Sequence, residues 1–168
     1  WLGRQRARGY PVPWDLLALL FWVLLLSVFF AMVEIQIEGQ DGWAAGLPTW
    51  RVEDHWLLDL LWGGRPMTGY HAWAFPFILL FFHLPLFFMG TVTWLLEARV
   101  LGTLMLFWIT EDFLWFVFNP AYGLRRFRRG QISWHKNWVL FMPIEYWIFS
   151  ILGMWLVVRS YGLVGWPL

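Results

Sequence analysis

The chain of 168 residues has no cysteine. That absence removes disulfides, thiolate metal sites, iron–sulfur clusters held by this chain and covalent c-type haem attachment together. Charge is also scarce. Asp, Glu, Lys and Arg make up 14% of residues, against about 25% in soluble domains. Too few cations remain for the basic surface that nucleic-acid binding needs. Lys136 is the single lysine and lies at the edge of an apolar block, which argues against a Schiff base buried mid-bundle.

What fills the chain instead is apolar and aromatic. Hydrophobic residues reach 60%, with 16 tryptophans and 16 phenylalanines. Stretches of about 20 apolar residues mark membrane-crossing helices. The expectation is therefore an all-α integral membrane protein forming one domain over residues 1–168. It predicts about four transmembrane helices, near 14–37, 72–94, 98–118 and 138–159. The lipid bilayer is then the first partner. A prokaryotic cytoplasmic membrane is the expected location, with orientation open.

Residues 1–13 are basic and lead into a run too long for a signal-peptide core, with no clear small-residue cleavage site, so it reads as a retained span. The first residue is Trp1 rather than methionine, and the expectation is a native N-terminus that extends further. Asp15 suits the positive end of the first helix dipole. The 38–70 loop is glycine-rich and contains RVEDHWLLDLLW, read as a short interfacial amphipathic helix with Trp56, Leu57, Leu60 and Leu61 on one face. Pro76 and Pro85 interrupt the second span, and the carbonyls they free favour packing against neighbouring helices over facing lipid.

Four spans place the arginines of residues 1–13 opposite the RRFRR loop, which the positive-inside rule disfavours. If residues 94–118 only re-entered the membrane, both basic clusters would share a side, at the cost of needing protein cover. The larger cationic loop weights the reading toward a cytoplasmic 119–138 segment.

Ionisable residues inside spans are the candidates for function, because each is costly in lipid. Counting at ~1.5 Å per residue, Glu111 and Asp112 lie roughly 9–11 Å below the side that carries the 119–138 loop. Glu145 lies about 10 Å below the same side and His83 some 16–18 Å. Glu34 sits about a turn below it, close enough to be solvated. His71 and His135 fall at the mouth, with His55 and His71 read as surface residues. Adjacent helical positions point about 100° apart, so Glu111 and Asp112 must face different neighbours: one the fourth helix, the other the second helix or another subunit. Arg125, Arg126 and Lys136 are the expected charge partners.

The candidate metal or proton site is therefore His83, Glu111, Asp112, His135 and Glu145. Imidazole with carboxylates suits a divalent transition metal, although the Glu-x-x-His pairs of di-iron bundles are missing. Trp108, Trp115, Trp147 and Trp155 fall inside spans, where they fill helix contacts or pack against pigment, quinone or lipid chains. No complete catalytic constellation is visible. The leading expectation is an accessory subunit that packs tryptophan-rich helices against other membrane subunits or bound cofactors. The alternatives are a small metal-dependent, oxidoreductase-like membrane enzyme and a carrier of protons or ions through its carboxylates.

Overall fold

The computed structural model describes residues 14–58 and 65–163. It is mostly helical, and three of its helices are long and apolar enough to cross a membrane. These are α1 (Trp14–Glu38), α2 (Gly69–Met89) and α3 (Trp94–Phe118). A fourth, α4 (Ile144–Ser160), is shorter at 17 residues. Two small hairpins interrupt the connections: β1 (Arg51–Val52) pairs antiparallel with β2 (Met67–Thr68), and β3 (Trp138–Val139) with β4 (Met142–Pro143). A 3-10 turn covers Leu124–Arg126.

Helix starts follow their caps. The Thr68 hydroxyl accepts from the His71 N–H to open α2, and Thr93 accepts from the Leu96 N–H to open α3, each satisfying a donor with no intrahelical partner. Gly90 ends α2 at φ 60°, the left-handed cap that glycine adopts without a Cβ penalty. Thr91, Val92 and Thr93 then turn the chain back tightly, a few residues before the junction expected at 95–97. α3 is continuous over 25 residues, long enough to cross rather than re-enter.

Four boundaries differ from expectation, the first being the end of α2 at Met89 instead of 94, where Gly90 caps it. α2 begins at Gly69 and α3 at Trp94, each a few residues early, because Thr68 and Thr93 supply caps that hydropathy does not register. The fourth helix begins at Ile144 instead of near 138, because residues 138–143 form the β3–β4 hairpin, with Leu140 at φ 55° in its turn. The expected amphipathic helix lies partly outside the described residues. Within them, Arg51 and Val52 are in β1, and helical backbone begins only at Trp56.

α3 is the central element. Small residues allow its close approach to α4: a Cβ added at Gly102 would stand 2.7 Å from the Gly153 carbonyl oxygen. Such small-residue crossings are how helices associate in lipid, where no hydrophobic force drives them together. Toward α1, Ser27 Oγ donates to the Phe107 carbonyl at 3.2 Å, and the Asn119 side-chain amide donates to the Gly39 carbonyl at 2.8 Å. At the opposite end Arg99 donates to Ser160 and stacks 4.0 Å over the Tyr161 ring.

α2 is docked more lightly. Its buried positions are Gly69, His71, Ile78 and Leu86, so the packing expected from Pro76 and Pro85 is not what holds it. The helix runs continuously through both prolines and turns most of its aromatic surface outward, with Trp73, Phe77 and Phe88 exposed.

Candidate functional site

The end of the bundle beneath the 119–138 loop gathers polar side chains from every helix. On α1, Glu34 and Glu38 share one face, since residues four apart on a helix are neighbours. That stripe continues through Ala31 and Ser27, all buried. Tyr70 and His71 come from the first turn of α2, Glu111 and Asp112 from the last third of α3, and Glu145 and Tyr146 from the first turn of α4. The loops add Arg65 and His135.

The adjacent acids divide as the 100° step requires, but one partner differs from expectation. Asp112 faces α4 and the loop: its Oδ2 accepts from the Tyr146 hydroxyl and lies 3.1 Å from His135 Nε2. Glu111 faces α1, where its neighbour is Glu34. The Tyr70 hydroxyl donates to Glu34 Oε1 at 2.8 Å. Glu34 is therefore buried and engaged, not simply solvated.

His135 is the hub of the second group. Its Nδ1 lies 2.7 Å from Arg65 Nη2 and 3.3 Å from Glu145 Oε1. Arg65 forms an ion pair with Glu145 and donates from Nε to the Trp134 carbonyl at 2.7 Å. Burial disfavours the charged imidazole, but the Asp112 carboxylate and the bonds to Asp112 and Glu145 outweigh burial and Arg65, raising the His135 pKa above its usual 6.5. In the neutral ring Nδ1 accepts from Arg65, and in the imidazolium it donates to Glu145. The preceding Trp134 fixes the ring's position, wedged among Trp115, Phe116 and Ile132 with its plane 14° from that of Phe116. Trp138 Nε1 donates to the His135 carbonyl at 2.8 Å.

A third group closes the mouth. Glu38 Oε1 accepts from the Ala44 N–H at 2.6 Å and lies 3.9 Å from His71 Nε2. His71 is bonded to Thr68 Oγ1 at 2.7 Å and stacked 4.1 Å from Trp43. The Arg65 guanidinium covers Trp43, whose Nε1 donates to the Pro66 carbonyl. Trp43 and Ala44 both adopt positive φ, at 48° and 52°. Such backbone costs of order 1 kcal/mol or more per non-glycine residue and persists only where surrounding contacts impose it.

The acids, His71, His135, Arg65 and Tyr146 line the polar end of a cavity of about 680 Å³. Its remainder is apolar, walled by Phe75, Pro76 and Leu79 of α2, Leu104 and Trp108 of α3, and Ile148 and Phe149 of α4. Leu79, Ile148 and Phe149 line the cavity and are also exposed on the outer surface. The apolar half therefore opens sideways, between lightly docked α2 and the α3–α4 pair.

Of the expected site residues, Glu111, Asp112, His135 and Glu145 come together. His83 does not: its Nε2 meets Glu97 at 3.0 Å near the start of α3, and its Nδ1 meets the Leu79 carbonyl at 2.6 Å. Arg65 reaches the acids, pairing with Glu145. Arg125, Arg126 and Lys136 are exposed, and Arg126 lies 5.5 Å over the Tyr122 ring. His71, expected at the surface, is buried. Arg65, Tyr70 and Tyr146 were not foreseen as site residues. Arg65 lies in an irregular loop where no period points, and the tyrosines are recognisable only as polar tips at helix starts. Among the described residues, no group of three or more His, Asp or Glu side chains has an arrangement able to hold a metal ion. No family model, curated protein or solved structure matches the chain.

Proposed function

We propose that this chain is a membrane protein that binds an amphipathic molecule, with the head group among the acids and histidines and the apolar body between α2, α3 and α4. The single observation that carries this reading is the division of the cavity, polar at one end and apolar along its length with a sideways opening. Its volume falls in the range of about 300–1,000 Å³ typical of small-molecule sites, which are mostly apolar with a few placed polar groups. A soluble substrate has no need of a lateral apolar entrance. In this reading α4 is a fourth crossing: its 17 residues extend about 26 Å, and the exposed Leu140 and Phe141 of the hairpin before it lie at the interface.

The test is native mass spectrometry of the full chain released from neutral detergent. One amphiphile retained per chain is expected, and Leu104→Trp, which fills the apolar half, removes it. A wild-type chain that never retains an added dodecyl-chain probe overturns the reading.

The hydrogen bond from Tyr70 to Glu34, with Glu111 beside Glu34, supports a second reading, proton exchange at the polar end. Its test is proton flux into liposomes, which Glu111→Gln then abolishes. Membership of a larger complex draws on exposed rings such as Trp73 and Phe88, which lipid covers equally well.

A further inference from the structure

Glu111 and Trp115 are four residues apart on α3 and therefore neighbours on one face, with Cβ atoms about 5–6 Å apart. Both line the cavity, and they are 2% and 3% exposed. Each carries a buried polar atom with no hydrogen-bond partner among the described residues: Oε1 of Glu111 and Nε1 of Trp115. One is an acceptor site and the other can only donate. Native interiors leave few such atoms unsatisfied, because each costs about 1–3 kcal/mol.

Head groups can be sorted against this pair. A carboxylate or phosphate head meets five acids on the cavity lining, Glu34, Glu38, Glu111, Asp112 and Glu145, and one arginine already paired to Glu145. An ammonium suits the acids but has no acceptor for the indole N–H. A hydroxyl has both a donor and an acceptor.

We propose that Glu111 and Trp115 form a recognition site for an uncharged hydroxyl head on a long apolar chain, the hydroxyl donating to Glu111 Oε1 and accepting from Trp115 Nε1–H. This rests on the amphiphile-binding reading above and narrows its ligand class to long-chain alcohols. Glu145 Oε2, also buried and unpartnered, offers a second acceptor to a head bearing more than one hydroxyl.

The experiment is equilibrium binding of labelled dodecanol to the full chain in neutral detergent, with dodecane, dodecylamine and laurate as competitors of equal chain length. Dodecanol is expected to bind about tenfold or more tighter than dodecane, the equivalent of one or two net hydrogen bonds, and tighter than either charged probe. Trp115→Phe lowers dodecanol affinity about tenfold by the same reasoning and leaves dodecane binding in place, which also reports that the variant has kept its cavity. Equal affinity for dodecanol and dodecane, the result if ordered water satisfies both atoms, overturns the hydroxyl site and spares the cavity reading. Preference for laurate or dodecylamine does the same. Failure of all four probes overturns both.

Discussion

Arg65 and Glu145 stand 80 residues apart in sequence and form an ion pair at the polar end of the cavity. The same guanidinium meets His135 and the Trp134 carbonyl and covers Trp43. One side chain from the 38–70 loop thus ties the N-terminus of α4, the 119–138 loop and Trp43 at the cavity mouth together. Its side chain is 13% exposed and that of Glu145 is 21%, so solvent screens the pair only in part.

Arg65→Met leaves Glu145 without its cation, and the expected loss of stability is about 2–3 kcal/mol, below the full cost for a fully buried pair. Arg65→Met combined with Glu145→Met recovers part of that loss, because no charge is then stranded. A thermal-unfolding double-mutant cycle in detergent measures it. Additive losses from the two substitutions refute the coupling.

Stability depends on pH through His135. Its pKa is raised on folding above the usual 6.5, so the folded state binds the proton more tightly than the unfolded chain. The contribution is complete below about pH 6.5 and is lost as pH rises through the raised value. The apparent Tm of the wild type therefore falls across that window, and His135→Gln flattens the profile. A wild-type Tm that rises over the same interval contradicts the assignment.

Gly102 and Gly153 set the α3–α4 spacing. Gly102→Ala drives a methyl to within 2.7 Å of a backbone oxygen that has no rotamer escape, and the expected cost is about 1–3 kcal/mol. Gly90→Ala meets no atom within 4 Å. It carries only the left-handed strain of φ 60°, about 1 kcal/mol. Unfolding temperatures of the two variants should rank in that order.

His83 and His135 separate the two ends of the bundle. His83→Leu releases Glu97 and loosens α2 at the far end, with no expected effect on dodecyl-chain binding at the polar site. His135→Leu removes a group that touches Asp112, Glu145 and Arg65, and probe affinity is expected to fall severalfold. Equal effects on binding would place His83 back within the site.

Much of the site is legible in the sequence because helical rise converts residue number into depth. Glu111, Asp112 and Glu145 lie at one level by counting alone, and they meet in space. Depth says nothing about azimuth, however. Counting placed His83 with the acids, whereas its neighbours are Leu79 and Glu97. It also leaves open which of Glu111 and Asp112 faces the fourth helix, and the neighbour of Glu111 is Glu34 on α1, not the second helix or another subunit. Arg65, which pairs with Glu145, carries no such signal, because an irregular loop has no periodicity from which to project a side chain.

By itself, the sequence determined the membrane class, three of the long helices, the tight turn between α2 and α3, and the level at which charge enters the bundle. Those follow from local terms: transfer of apolar side chains into lipid and the fixed rise of a helix. Only the tertiary structure decided that α2 stands off to leave a cavity, that Arg65 and His135 gather the acids, and that Glu111 and Trp115 on its lining each keep a buried atom without a partner among the described residues. Those depend on which helix faces which, set by contacts such as Gly102 against Gly153 and Ser27 against Phe107. Residues 109–120 therefore carry both levels: their acids set the depth, and the rotation of α3 directs Asp112 to His135 and Glu111 to Glu34.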